Sequence, residues 1–345
     1  MIAPAADDSH LDEDRLAGWL EARGVWQGPL TATRISAGGS NELFELQGGA
    51  STLVLRRPPK VISAPGAHDV IRETRVLEAL EKTELPHPQL VAVGRDLDVI
   101  GSPFYVMKHV DGFAGRVPIP ERFDEPAARH ELATAAIDAL AAIAALDIER
   151  LGLADFGRPD GFLERQVPRW LGQLDRYRTR ALPHLDELAE WLKEHQPASQ
   201  RTSLLHGDFQ LINLMFAAER PGRVTAVLDW EMSTIGDPLA DLGWFLAGWE
   251  ERGEPSYRAY PQLSVEAGMP TRRELAARYA GTTGLSVETL RYYEVLALFK
   301  LACIMEGSHV RFASGHSDNP LHASLADGVP RMLARAQSFA DGTLT

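Results

Sequence analysis

His206-Gly207-Asp208-Phe209-Gln210-Leu211-Ile212-Asn213, followed at once by Leu214-Met215-Phe216, is the stretch on which the reading of this chain turns. An acidic residue and, five positions later, an asparagine sit in a loop. The apolar runs Leu204-Leu205 and Leu214–Phe216 bracket that loop as two short strands. Sixteen residues beyond Asn213, the apolar run Val224–Leu228 delivers Asp229-Trp230-Glu231 at its end. A lone Asp followed by Asn is most often a turn. Two acids at strand ends, with an amide at this spacing, make a much rarer pattern.

Such a set suits phosphoryl transfer. One carboxylate must accept or orient the proton of a hydroxyl, while an amide oxygen and a second carboxylate hold Mg²⁺ against the β- and γ-phosphates. Mg²⁺ prefers hard oxygen ligands and needs only one or two from protein, because phosphates and waters supply the others.

Outward from the loop, the chain changes character near Gly112. Before it, Leu30–Ile35, Glu42–Leu46 and Thr52–Arg56 read as strands, punctuated by Gly38-Gly39-Ser40-Asn41 and Gly48-Gly49, and predict an antiparallel meander. Leu11, Leu16, Trp19 and Leu20 predict a helix ahead of it, and Val70, Ile71, Thr74, Leu77 and Leu80 one behind it. Leu90–Gly94 and Pro103–Val110 complete a small sheet. From Pro126 the pattern is helical: an Ala-rich run to Leu146, then helices around Trp170 and Tyr177 and around Leu188 and Trp191. Thr271 and Glu274 form a capping-box pattern. Ser286 is placed to cap a long last core helix reaching Ser308 or beyond. Two parts are expected, residues 1–111 and residues 112–345.

Composition excludes more than it identifies. The 345 residues are 45% hydrophobic and 24% charged, ordinary for a folded protein of two lobes or domains. A formal net charge of −13 argues against nucleic acid as a partner. The stretch from Ala133 to Leu146 is broken by Asp138 and is too short to span a bilayer, so no membrane partner is expected. No basic-then-apolar leader is seen, and the single cysteine, Cys303, suits a reducing compartment. The expectation is a cytoplasmic monomer or homodimer.

His206–Asn213 together with Leu228-Asp229-Trp230-Glu231 resembles the catalytic and metal-binding motifs of the aminoglycoside/choline kinase superfamily, whose fold is similar to that of protein kinases. Gly152–Pro159, Glu164–Val167 and Ser233–Leu242 resemble, more narrowly, a subgroup that includes the kinase-like domains fused to acyl-CoA dehydrogenases. The resemblance runs from about Leu30 to Arg311. It implies a bilobal α+β fold, with a small N-terminal nucleotide-binding sheet lobe and a larger, mainly helical lobe for catalysis and substrate. Nucleotide would sit between them.

The same resemblance assigns roles. Asp208 would be the catalytic base or hydroxyl-orienting residue, Asn213 and Asp229 the Mg²⁺ ligands, and His206 a brace for the loop. Glu231, Asp237 and Asp241 would support the site, Asp237 also capping the next helix and fixing the catalytic loop. Ser36, Gly38, Gly39, Ser40 and Asn41 correspond to the turn that covers the phosphates. Pro103–Val110 corresponds to the hinge strand, where the Lys108 carbonyl and Val110 amide would meet adenine and Met107 would line the pocket. One departure stands out: the phosphate-binding lysine of the third strand is Arg56 here, as is often so in the subgroup, with Glu73 placed to pair with it.

The function expected is an ATP- and Mg²⁺-dependent phosphotransferase, GTP being the other nucleotide in view, acting on a hydroxyl of a small molecule. By analogy with the fused domains that molecule is a hydroxyacyl thioester or another hydroxylated metabolite. Two alternatives stand beside it. An aminoglycoside kinase would need an acidic acceptor pocket near the C-terminus, yet only Asp318, Asp327 and Asp341 follow Gly315. A nucleotide-binding pseudokinase with a regulatory role is favoured only by Arg56. The helices from Pro126 to Gln196 and from Pro255 onward are expected to shape the acceptor site, with Trp170, Tyr177, Trp244, Trp249 and Tyr257 as candidates to line it, although aromatic residues at helical spacing are more often core.

Overall fold

Asp12 opens the first helix, its carboxylate accepting the Arg15 amide at 3.0 Å, a cap of the kind that contributes about 1 kcal/mol. In the computed structural model, which describes residues 11–35, 41–48, 52–59, 69–317 and 319–344, the chain divides into two compact units, Met1–Asp111 and Gly112–Thr345.

The first unit runs α1 (Glu13–Glu21), β1 (Thr31–Arg34), β2 (Glu42–Gln47), β3 (Leu53–Arg57), α2 (Val70–Leu80), β4 (Leu90–Gly94), the single turn α3 (Leu97–Ile100) and β5 (Phe104–Lys108). The strands form one antiparallel sheet in the order β1-β2-β3-β5-β4. Leu16 and Leu20 of α1 join Phe44, Leu46, Leu53, Leu55, Phe104 and Val106 in its core. β3, flanked on both sides, is buried at every position, its two arginines included. Register sets Arg57 opposite Glu42, and their side chains pair at 2.8 Å.

The second unit is β6 (Phe113–Ala114), α4 (Pro126–Ala144), α5 (Gln166–Leu174), α6 (Leu185–Glu194), β7 (Ser203–Leu205), β8 (Leu214–Phe216), β9 (Val224–Val227), β10 (Thr234–Gly236), α7 (Leu239–Ala247), α8 (Arg272–Thr283), α9 (Leu290–Ala313), the short α10 (Pro320–Ala323) and α11 (Leu325–Ala340). Two small sheets punctuate the helices: β7 pairs with β10, and β8 lies between β6 and β9. α9 is the central post, with α5, α6, α7 and α11 packed on it. Gly243 allows α7 to lie against α9, because a Cβ there would come within 2.4 Å of the Tyr293 Cβ.

Two helix expectations need correction. Ser286 does not cap the long helix; its hydroxyl accepts the Glu288 amide at 3.3 Å in the preceding turn, and α9 starts at Leu290. Nor is α9 the last core helix, since α11 buries Val329, Leu333, Ala336 and Phe339 behind it. The capping box is present, Thr271 and Glu274 each satisfying the other's backbone at the head of α8. No described helix is long and apolar enough to cross a membrane.

Candidate active site

β7 and β8 are each three residues long, so the loop between them is held taut by short, buried strands. Gly207 makes the turn possible. Its φ is +82°, and a Cβ would stand 2.2 Å from the Met232 carbonyl oxygen, both of which exclude a side chain. Asp241, buried in the first turn of α7, grips the loop from below. Its carboxylate accepts the amides of His206 at 2.6 Å and Gly207 at 2.9 Å.

His206 is fully buried and ties the two motifs together. Its Nδ1 accepts the Asp208 amide at 3.2 Å, so the ring proton is on Nε2, which donates to the Leu228 carbonyl at 2.8 Å. Leu228 in turn donates its amide to the Asn213 carbonyl at 2.8 Å. Asp229 therefore emerges beside Asn213. It does so with φ +63°, a left-handed conformation costly for a side-chain-bearing residue and concentrated at functional sites. Glu231 lies in the single 3₁₀ turn that follows, Trp230–Met232.

Asp208 is the focus of the donors. Its carboxylate accepts Gln210 Nε2 at 2.7 Å, Asn213 Nδ2 at 3.1 Å and Trp244 Nε1 at 3.1 Å. Burial pushes its pKa above the ordinary carboxylate value, and neighbouring Asp229 pushes the same way while His206 and Lys300 oppose. Asn213 Nδ2 also donates to the Asp208 carbonyl at 2.9 Å. With the amide nitrogen committed, the Asn213 side-chain oxygen is the end left to face a cation. Asn213 and Asp229 are thus two hard oxygen donors brought together by a backbone bond, a set that fits Mg²⁺. Among the described residues no cluster of three or more His, Cys, Asp or Glu could hold a metal alone.

The other expected residues fall as follows. Asp237 caps α7 through the Leu239 amide at 2.9 Å and accepts the Tyr293 hydroxyl at 2.8 Å; the bonds to the loop backbone come from Asp241 rather than from Asp237. Arg56 and Glu73 meet at 3.1 Å with 6% and 2% of their side chains exposed. Met107 and Lys108 end β5. The Lys108 amide is used by Gln89 O at 2.9 Å and the His109 amide by Thr52 O at 3.3 Å. Val110 follows, half-buried. Asn41 is buried ahead of β2, whereas Ser36, Gly38, Gly39 and Ser40 lie outside the described residues.

A cavity of about 680 Å³ opens beside Asp208 within the second unit. Trp244, Trp249 and Tyr257 line it as expected, but Trp170 and Tyr177 do not, and no residue of the helices between Pro126 and Gln196 does. Its walls come from the His206–Asn213 loop, α7, the 257–264 segment, α9 and α11. Lys300 of α9, not anticipated from the sequence, also lines it and donates to the Gly207 carbonyl at 2.8 Å. The signal was there: a lone lysine inside the otherwise apolar run Val295–Cys303.

Comparison with known proteins agrees with this geometry. A family model described as the phosphotransferase enzyme family (APH) matches residues 31–275. Human acyl-CoA dehydrogenase family member 11 is 36% identical over 295 residues, covering 84% of this chain and 37% of that protein. Among the curated relatives it matches, the chain spans between 27% and 38% of their length. A solved Ralstonia eutropha structure, provisionally assigned as an aminoglycoside phosphotransferase, superposes with a TM-score of 0.81 at 29% identity, covering 96% of this chain and 99% of that one. A thermostable mutant of aminoglycoside phosphotransferase APH(4)-Ia, in ternary complex with ADP and hygromycin B, shares the fold with a TM-score of 0.57 at 16% identity, covering 95% of this chain and 98% of that one. The α+β fold is protein-kinase-like, the match extends over most of the residues, and the chain belongs to the phosphotransferase enzyme family.

Proposed function

We propose that this chain is an ATP- and Mg²⁺-dependent kinase that phosphorylates a hydroxyl carried on an apolar, acyl-type small molecule. The observation that carries the acceptor class is the wall of the cavity beside Asp208. Trp244, Phe245, Trp249, Leu298, Ile304 and Met332 face it, and Asp208 is its only acid among the described residues. Four of the large apolar residues left exposed, Ile212, Met232, Tyr260 and Leu321, also line it. Exposed apolar side chains gathered at one opening mark a binding site. The dehydrogenase relatives, named for acyl-CoA, point to the same chemistry. A polycationic aminoglycoside would find Arg116, Arg258 and Lys300 in that lining, which repel it.

The mechanism follows from the loop. The Asp208 carboxylate, fixed by Gln210, Asn213 and Trp244, orients the acceptor hydroxyl and takes its proton as that oxygen attacks the γ-phosphorus, the bond from that phosphorus to the β,γ-bridging oxygen breaking so that ADP leaves. Asn213 and Asp229 would hold Mg²⁺, which when bound neutralises phosphate charge. His206 and Asp241 keep the loop rigid, so that no reorganisation is needed during reaction. Arg56, oriented by Glu73, contacts nucleotide phosphates.

Calorimetry and thermal melts with millimolar Mg-ATP and Mg-GTP test the base of this reading, since a ligand bound only to the folded state raises the melting temperature. Neither heat nor a shift with either nucleotide would remove it. An ATP-consumption screen then sets hydroxyacyl-CoAs and free hydroxy acids against aminoglycosides. Turnover is expected with the former; turnover with aminoglycosides alone would overturn the acceptor class.

A further inference from the structure

Lys300 is an unusual occupant of its helix. Every residue from Tyr292 to Phe299 is buried, and Lys300 continues that run half-buried and turned to the cavity. Its ammonium donates to the Gly207 carbonyl at 2.8 Å. Its Nζ also sits 4.2 Å from the centre of the Trp244 ring and 5.7 Å from that of Trp170. The same Trp244 donates its indole N–H to Asp208 Oδ1 at 3.1 Å. A cation on the ring face draws π-electron density and strengthens the N–H as a donor. Burying an ammonium costs free energy that packing alone does not return. Burial pushes Lys300 down to about 8, with Asp208 and Asp241 opposing.

We propose that Lys300 is a positioning residue for phosphoryl transfer, holding the Gly207 carbonyl from α9 and acting through Trp244 to aim the Asp208 carboxylate at the acceptor. This rests on Asp208 acting as the base of the preceding section. The catalytic loop would then be clamped from two helices: Asp241 of α7 takes the amides on one side, and Lys300 of α9 takes the carbonyl on the other. The loop itself, His206–Asn213, contains no lysine or arginine, so the cation that bonds its backbone comes from a residue almost a hundred positions away.

The test is a double-mutant cycle read in Mg-ATP hydrolysis, with water as the acceptor. Lys300→Met should lower kcat on the order of 10- to 100-fold and leave the KM for ATP unchanged. In an Asp208→Asn background the same change should cost little more, because it acts through Asp208. Lys300→Arg, which keeps charge and donors, should recover part of the loss. An equal loss in both backgrounds, or a KM that rises as far as kcat falls, overturns the proposal. If Lys300→Met does not fold, Lys300→Gln, still a donor but uncharged, reads the same cycle. A second arm needs no turnover and so separates this inference from the kinase reading. The Trp244 indole N–H resonance, identified by its loss in Trp244→Phe, should move in Lys300→Met toward its place in Asp208→Asn, while the five tryptophans other than Trp244 and Trp170 hold. A Trp244 resonance that stays put sinks the linkage.

Discussion

Asp208 and Asp229 stand close enough for each to feel the other's charge, yet their surroundings separate their work. Asp208 is surrounded by N–H donors and lines the cavity; Asp229 emerges from a strained backbone beside the Asn213 oxygen. Asp208→Asn should therefore lower kcat by about 10²- to 10⁴-fold, the range of a lost general base, with the dissociation constant for Mg-ATP nearly unchanged. Asp229→Asn should weaken Mg-ATP binding as well. Equal nucleotide affinities in both variants would show the roles to be misassigned. The pH profile carries a sign of its own. Burial raises the Asp208 pKa, and a base works only when ionised, so the acidic limb of kcat/KM should lie above the ordinary carboxylate range, activity rising with pH through it. At this scale the motif was legible because its members lie within one loop and one strand end. Trp244, which bonds Asp208, and Lys300, which bonds the Gly207 carbonyl, were not read as part of the site, since a donor that arrives from another helix leaves no mark in the loop's spacing; Gln210 lies within the loop and was passed over as a spacer between Asp208 and Asn213.

β3 and α2 bring Arg56 and Glu73 together, as the strand-then-helix order allowed, and the pair is almost wholly removed from water. Removing one member of a buried pair leaves the other uncompensated, typically at a cost of about 3–5 kcal/mol. Arg56→Ala should thus lower the melting temperature and weaken ATP more than adenosine, whereas Arg56→Lys keeps the charge and loses the fork. If ATP and adenosine lose affinity equally in Arg56→Ala, Arg56 is only structural. The helices were read well where a local signal existed, as at the Thr271–Glu274 box, and badly where the signal was tertiary. α9 starts four residues after the serine that seemed to cap it, and α11 was missed although Val329, Leu333, Ala336 and Phe339 repeat along one face. α9 also carries Glu294, 5% exposed, which burial raises to about 7 against the opposing charges of Arg272, Arg335 and Arg291. A carboxyl whose folded value exceeds its unfolded one contributes stability below the unfolded value and loses it as pH rises. Stability should fall between about pH 4.5 and 7, by on the order of 1–3 kcal/mol. Glu294→Gln should flatten denaturant midpoints across that window; an unchanged slope would show that Glu294 stays ionised in the fold.

The whole molecule is strongly acidic, with a formal net charge of −13, while the cavity beside its catalytic loop carries three permanent or near-permanent cations and one acid. That inversion, together with the apolar rim, is what points away from polycationic acceptors and toward an apolar alcohol. It could not be read from the sequence, because an aromatic residue at helical spacing looks the same whether it faces a core or a cavity. Trp170 went to the core, its indole bonded to Gln166 at 3.1 Å, and Tyr177 bonds the Cys303 carbonyl at 2.5 Å. The cavity is instead walled by α9 and α11 on one side and the 257–264 segment on another, pieces joined only by the fold. Depth is then the testable property. Leu301 of α9 lines the cavity and is half-buried, so Leu301→Trp adds bulk into open space rather than into packed core and should leave the melting temperature within a few degrees. For hydroxyacyl acceptors of increasing length, the KM in Leu301→Trp should climb with chain length, by roughly tenfold once the chain reaches the new ring, an energy of about 1.4 kcal/mol. Short acceptors and Mg-ATP should bind as they do to the unaltered protein. If every chain length loses affinity alike, the apolar body of the acceptor lies elsewhere and this cavity is only the back wall of the catalytic loop.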